Sequence, residues 1–287
     1  MRKVGIFVHP RWEAAADLGR QLEARLRPQV QDVWLTAAWD EAAARRQVGD
    51  SDLLVCVGGD GTMLWAARTA VPRPVPILGV NMGRLGFLTE FTPEEALEKL
   101  PAVLEGAGRL EERTMLAVAT STGESYHALN DAVVGRHTVG RPVYVEASVD
   151  GRRLAFYRAD AVLVATATGS TAYSFSAGGP ILYPESRDLL LTPVAPHLMS
   201  GQSLVLPPQV VIELRVDVDH EAALSVDGQE DHHLRSGDVV TVTRSPHVAR
   251  FLRFSEPAQH YATLAELLGW LRIVGPSGHQ EGDGRSE

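Results

Sequence analysis

The stretch Leu53-Leu54-Val55-Cys56-Val57-Gly58-Gly59-Asp60-Gly61-Thr62 decides how the rest of the chain is read. Its first half is short, apolar and ended by two glycines, the pattern of a strand buried on both faces. Met63–Ala70 has helical composition, so the glycines sit in a strand–turn–helix unit. In an open α/β sheet, ligands bind just past the carboxyl ends of the strands. Glycine admits positive φ and lets backbone N–H groups approach an anion with no Cβ between. The following helix adds partial positive charge at its N-terminus. Gly58, Gly59, Gly61 and Thr62 therefore predict a phosphate cradle. Asp60 is out of place there, because a carboxylate repels phosphate. Its presence points to taking a proton from an attacking hydroxyl, or to holding a cation. The bland alternative is a glycine-rich turn with a solvated aspartate.

Around this unit, residues 1–110 alternate strand and helix patterns. Val4–Val8, Val33–Leu35 and Val75–Val80 read as strands. Ala15, Leu18, Leu22 and Leu26 recur at helical spacing. Thr92-Pro93-Glu94-Glu95 is a capping box with proline at the first helical position, starting a helix that runs to about Glu105. Alternation of this kind predicts an α/β domain with a mostly parallel sheet. After Arg109 the texture changes. Val210–Val218 alternates apolar and polar residues, Val239–Thr243 is similar, and Asp150-Gly151 and Asp227-Gly228 are hairpin-turn signals. Residues 111–254 are read as an antiparallel β domain, interrupted by a glycine-rich loop at 168–180. Residues 255–275 are partly helical, and the polar, glycine-rich 276–287 is a disordered tail.

Composition bounds the function. The chain has 287 residues, enough for two domains of roughly 100–200 each. A net charge of -9 argues against nonspecific nucleic-acid binding, so anions must be met locally by backbone N–H groups and placed arginines or lysines. The single cysteine, Cys56, excludes an internal disulfide and fits a reducing cytoplasm. Within its apolar run it reads as a small buried hydrophobe rather than a nucleophile. No apolar run reaches the ~18 residues of a membrane span, and the N-terminus lacks a signal peptide's apolar region.

A second constellation is Thr168-Gly169-Ser170-Thr171-Ala172-Tyr173-Ser174-Phe175-Ser176-Ala177-Gly178-Gly179-Pro180, after the apolar run Ala161–Ala165. Small residues let backbone approach a planar ligand, hydroxyls donate to phosphate or ribose, and Tyr173 offers a stacking face. Asn130-Asp131 suits a ribose diol or an adenine edge, and suits a turn equally. Asp160 is a ligand carboxylate or a strand-end charge, with Arg158 beside it facing phosphate. His232-His233 has no cysteine or second carboxylate at ligand spacing and reads as a surface pair, so no protein metal site is expected.

Together these residues resemble the NAD kinase family over nearly the whole chain. The matching stretches are Gly58–Thr62, Asn81–Thr89, Leu129-Asn130-Asp131, Asp160, Thr168–Pro180, Leu191-Thr192-Pro193, Ala195-Pro196-His197 and Asp227-Gly228-Gln229. The resemblance implies an α/β domain with a phosphofructokinase-like nucleotide site, a C-terminal β-sandwich, and a final segment packing back on the first domain. It implies transfer of the ATP γ-phosphoryl group to the 2′-hydroxyl of the adenosine ribose of NAD, with Mg²⁺ on the ATP phosphates. Asp60 is then the general base, with Gly61 beside it, and Asn130 and Asp131 hold the adenosine part. Asp160 contacts the nicotinamide end. Thr168 and Thr171–Ser176 (Thr171, Ala172, Tyr173, Ser174, Phe175, Ser176) wall the NAD site, and Ala195, Gln229 and Arg158 complete its lining. A homodimer or homotetramer is implied, and polyphosphate is an alternative donor. The chain departs from the family pattern at Asp131, usually Glu, at Ala165-Thr166-Ala167, usually Ser-Thr-Pro, and at Trp65, usually basic. The tail before Gly269-Trp270 also lacks the usual basic residues. A lipid kinase of the diacylglycerol or sphingosine type shares Gly-Gly-Asp-Gly-Thr but should lack the 168–180 stretch. A 6-phosphofructokinase shares the turn but not the β domain, and a non-catalytic NAD or NADP sensor differs by not needing Asp60.

Overall fold

A computed structural model describes residues 1–37, 41–83, 86–138, 141–197, 201–218, 221–228 and 230–270. Gln229, the Arg84-Leu85 part of the Asn81–Thr89 stretch, residues 271–275 and the expected tail at 276–287 lie outside them. The N-terminal half runs β1 (Lys3–Val8), α1 (Glu13–Leu26), β2 (Asp32–Thr36), α2 (Glu41–Val48), β3 (Leu53–Gly58), α3 (Asp60–Thr69), β4 (Pro76–Asn81) and α4 (Pro93–Leu104). There follow β5 (Arg109–Thr120), β6 (Ser125–Ala128), β7 (Asp131–Arg136), β8 (Val143–Val149), β9 (Arg152–Ala159) and β10 (Ala161–Ala165). A 3-10 turn at Gly169–Thr171 leads to the short α5 (Tyr173–Ser176). The chain continues through β11 (Leu189–Val194), β12 (Leu204–Leu206), β13 (Ile212–Val216), β14 (Ala222–Val226), β15 (Glu230–Leu234), β16 (Val239–Arg253) and α6 (Gln259–Leu267).

Strands β2, β1, β3 and β4 pair in parallel, as their continuous apolar runs require when helices cover both faces. Every residue of β3 is buried. Ala15, Leu18, Leu22 and Leu26 are the buried stripe of α1, packed on β1 and β3. Thr92 and Glu95 close the predicted capping box on α4.

The second half is a β-sandwich. Strands β7, β10, β11 and β14 of a six-stranded sheet share one apolar core with β5, β8, β13 and β16 of the other. The change of texture near residue 110 coincides with the start of β5. The sheet itself does not stop there. β16 extends well past Val239–Thr243, absorbs an irregularity between Arg244 and Val248, and pairs in parallel with β4 at Arg250 and Phe251. One strand thus belongs to the sandwich at its start and to the parallel sheet at its end. The bulge-like shift lets Pro246 pass without ending the strand.

Two local expectations are refined. α3 starts at Asp60 rather than Met63, because Gly59 serves as N-cap and an acidic residue suits the first turn. The 168–180 stretch is partly helical rather than a plain loop. Both predicted hairpins have their turn residues in the left-handed region, with φ of 50° and 71° at Asp150 and Gly151 and 52° and 63° at Asp227 and Gly228.

Phe251 joins the halves: it is fully buried and pairs with Ile77 on one side and Glu111 on the other. Phe251→Ala should cost about 3–5 kcal/mol, read as a lower denaturation midpoint in urea. A change below 1 kcal/mol would show that the seam does not carry the fold.

Candidate active site

The glycine-rich turn does not use the positive φ that its glycines admit. None of Gly58, Gly59 and Gly61 has it. A Cβ on Gly58 would collide with the Thr62 side chain, so Gly58 is small to let the helix start close to the strand. Gly59 and Gly61 have open space where a Cβ would stand, which leaves the N-terminus of α3 uncovered. The Thr62 hydroxyl is buried with no hydrogen-bond partner among the described residues. Trp65, expected to leave the donor phosphates without a basic partner, is turned into the core, edge-on to Phe7 at 4.6 Å between ring centroids.

Asp60 does not float in the turn. The N–H of Phe87 donates to its Oδ2 at 3.0 Å and that of Leu88 to its Oδ1 at 3.1 Å. A Cβ on Gly86 would collide with the same carboxylate, so Gly86 is small because Asp60 packs against it. Arg253, at the end of β16, grips the far side of this segment. It donates to the carbonyls of Phe87, Leu88 and Thr89 at 3.3, 3.0 and 3.4 Å, and pairs with Glu90 at 3.3 Å. The Arg253 Nε also donates to Glu111 Oε1 at 3.0 Å, and Glu111 pairs with Arg113 at 2.6 Å. Arg113 in turn donates to the Thr168 hydroxyl at 3.2 Å. A chain of polar contacts therefore runs from Asp60 to the first residue of the 168–180 stretch. Burial pushes the Glu111 carboxyl up, but the two guanidiniums outweigh it and hold it down to about 2.

Asn130 and Asp131 are placed by Asp227. Its carboxylate accepts the N–H groups of Leu129, Asn130 and Asp131 at 2.9, 2.7 and 3.1 Å. Thr166 N–H donates to the Asn130 carbonyl at 2.9 Å, and Gly169 packs so close to that carbonyl that a Cβ would collide. Asp131 is buried, and burial first, then the neighbouring Asp227, pushes its carboxyl up to about 7. Burial also pushes Asp227 up, against its three N–H donors and the charge of Arg68 from α3.

Tyr173, 43% exposed, and Asp160 line a cavity of about 400 Å³ with Arg136, His137, Ser225 and His233. Asp160 pairs with Arg136 at 3.1 Å. Burial raises the Tyr173 hydroxyl, the charges of Asp160 and Asp131 add to this, and that of Arg136 works against it. Thr171, Ala172 and Phe175 are half-buried and Ser176 is exposed. Ser174 points away: it is fully buried and its hydroxyl meets that of Thr192 at 3.2 Å. Arg158 and Ala195 are exposed on neighbouring segments joined by the His197 N–H donating to the Arg158 carbonyl at 2.7 Å, outside that cavity. Cys56 is buried and burial pushes its thiol up, which suits packing and not reactivity.

Sequence reading missed Arg253, Glu111 and Arg113 as site-building residues, and took Asp227 only as a turn residue within a matching stretch. The signal was present as charges inside strand patterns, Glu111-Glu112-Arg113 and Arg253 after Phe251-Leu252, whose partners lie far away in the chain.

Gly86→Ala should force Asp60 off its two N–H donors and cost about 1–3 kcal/mol of stability, measured by urea denaturation; an unchanged midpoint would mean the contact is loose. Asp131 gives a pH signature. Its carboxyl lies at about 7 in the fold against an ordinary 3.8, so the fold prefers it protonated. The stability this contributes is present below about pH 4 and is lost as pH rises through about 7. Asp131→Asn should flatten that decline in melting temperature between about pH 4 and 7; parallel curves for both proteins would refute the shift.

Residues 2–108 match the ATP-NAD kinase N-terminal domain and residues 129–254 the ATP-NAD kinase C-terminal domain. The chain is similar to the NAD kinase of Dehalococcoides mccartyi (strain CBDB1), 39% identical over 268 residues covering 92% of this chain and 94% of that one. It is 46% identical over 210 residues to the NAD kinase of Symbiobacterium thermophilum, covering 71% and 74%. Among solved structures it is similar to an NAD kinase from Archaeoglobus fulgidus in complex with ATP, with a TM-score of 0.75, 28% identity and 96% and 100% of the chains covered. It shares the fold of yeast NADH kinase complexed with NADH, with a TM-score of 0.85, 24% identity and 97% and 90% covered. Neither a lipid kinase nor a non-catalytic sensor gains support from these likenesses. The two domain matches and the Dehalococcoides relative, covered over nearly its whole length, show that the chain belongs to the ATP-NAD kinase family.

Proposed function

We propose that the chain transfers the γ-phosphoryl group of ATP to the 2′-hydroxyl of the adenosine ribose of NAD, giving NADP, with Asp60 as general base. The observation that carries this is the setting of Asp60. It is the first residue of α3, flanked by two glycines with open space above them, and it is oriented by two backbone donors. Phosphoryl transfer needs little covalent help from the protein; positioning and electrostatics do most of the work. The exposed N-terminus of α3 meets phosphate with N–H groups and partial positive charge. Each Asp60 oxygen accepts one N–H and keeps lone-pair capacity to receive the hydroxyl proton as the ribose oxygen attacks.

Mg²⁺ enters with ATP as part of the donor substrate and screens the repulsion between Asp60 and phosphate. Asn130 and Asp131 hold the adenosine part, and Asp160 the nicotinamide end. Tyr173 supplies the aromatic wall, with Thr168, Thr171, Ala172, Phe175 and Ser176 around it. Ser174 supports that wall from the core, and Arg158, Ala195 and Gln229 are outer lining. ATP is the donor, with polyphosphate as an alternative. A homo-oligomer in the cytoplasm is the expected form; no helix among the described residues is long and apolar enough to cross a membrane.

Purified protein with ATP, Mg²⁺ and NAD should form NADP. Asp60→Asn should lower kcat by ~10²–10⁴-fold while NAD binding by calorimetry survives. Near-normal turnover in that variant would remove Asp60 from the base role.

A further inference from the structure

Two histidines and a glutamate that none of the roles above uses meet on one face of the six-stranded sheet. His137 stands just past β7, Glu221 just before β14, and His233 within β15. The register explains the meeting. His233 lies opposite Ala223, and Ala223 opposite Gly135, so the three share a face. His137 and Glu221 are two residues further along from Gly135 and Ala223, and the period of two returns them to that face. Ala223 and Gly135 are too small to fill the space between, and the longer side chains lean together over them. The rings of His137 and His233 are 4.7 Å apart between centroids, and His233 Nδ1 is 3.8 Å from Glu221 Oε2. One ligand atom from each of the three lies within 4.8 Å of the others. Among the described residues no other three His, Cys, Asp or Glu side chains converge this way.

We propose that His137, Glu221 and His233 bind a divalent cation of the borderline class, Zn²⁺ above all. Two imidazoles and a carboxylate are a nitrogen-rich donor set that suits Zn²⁺ and disfavours Mg²⁺ and Ca²⁺, which take oxygen ligands. A tetrahedral ion with bonds of about 2.0–2.2 Å sets its donors roughly 3.4 Å apart. All three side chains are exposed, so they close that gap by turning about their own side-chain bonds, with no core to repack. Three protein ligands leave a fourth position for water or an anionic group. His137 and His233 also line the cavity that holds Asp160 and Tyr173, so the ion would stand at its rim. Arg136, the nearby cation in that lining, is paired with Asp160, which limits its repulsion. The adjacent His232 is occupied elsewhere, 3.5 Å from Glu124, and is not a fourth ligand. This surface pair from the sequence therefore divides, with one histidine in a ligand set that only the sheet assembles.

The test is calorimetric titration of the metal-stripped full chain with ZnCl2 and, separately, MgCl2, at neutral pH. Wild-type protein should bind one equivalent of Zn²⁺, and Mg²⁺ should give no comparable heat. His137→Ala and His233→Ala should each weaken Zn²⁺ binding roughly tenfold or more, and His232→Ala should leave it unchanged. Circular dichroism of the three variants checks that they are folded. Absence of stoichiometric Zn²⁺ binding, unchanged affinity in either the His137 or the His233 variant, or loss in the His232 variant would each overturn the site.

Discussion

The ion triad Arg253–Glu111–Arg113 is the constraint on which the rest of this structure depends. All three residues are less than one-tenth exposed, and both guanidiniums lie over the Phe251 ring, at 5.5 and 6.0 Å from its centroid. Taking three charges out of water is costly, and a buried ion group is weak evidence of net stability. Its value here is registry. Arg253 closes β16 and holds three successive carbonyls of the 87–89 backbone, while the opposite edge of that backbone presents N–H groups to Asp60. Arg113, on β5, reaches Thr168 at the entrance of the second constellation. The glycine-rich turn and the 168–180 stretch, more than a hundred residues apart in the chain, are thereby set against one another by charge-assisted hydrogen bonds.

A second polar hub repeats the logic with one carboxylate. Asp227, in the left-handed first position of a hairpin turn, gathers three consecutive N–H groups around Asn130. Such a nest fixes the peptide planes of Leu129–Asp131; Thr166 donates to the carbonyls of Leu129 and Asn130, and the Asp227 N–H to that of Asp131. The charge of Arg68, the last residue but one of α3, bears on Asp227. The helix that begins at the glycine-rich turn therefore also acts electrostatically on the carboxylate that supports Asn130 and Asp131. In a chain of net charge -9, the buried carboxylate of each hub is held by local donors, Arg253 and Arg113 on Glu111 and three backbone N–H groups on Asp227.

The sequence by itself determined the architecture. The apolar run of β3 ended by glycines, the stripe of α1, the capping box of α4 and the two Asp-Gly turns are short-range signals, and each element stands where its local pattern says. It also determined the family, because the motifs of the turn, the Asn-Asp pair and the 168–180 stretch occur together and in order. Asp60 stood out in the sequence because a carboxylate repels the phosphate that a glycine-rich turn before a helix would otherwise suit, and that is the ground on which it is proposed as the base. What the tertiary structure alone decided is everything that depends on pairing at long range. The reach of β16 from sandwich to parallel sheet, the need for glycine at 86 beside Asp60, the inward turn of Ser174 and Trp65, and the triad that orients the site all depend on partners distant in sequence. Periodicity reports which face of an element is buried, and it carries no information about which other element will cover that face. Buried charges are the extreme case, since their burial is tolerable only with a partner that the sequence does not identify.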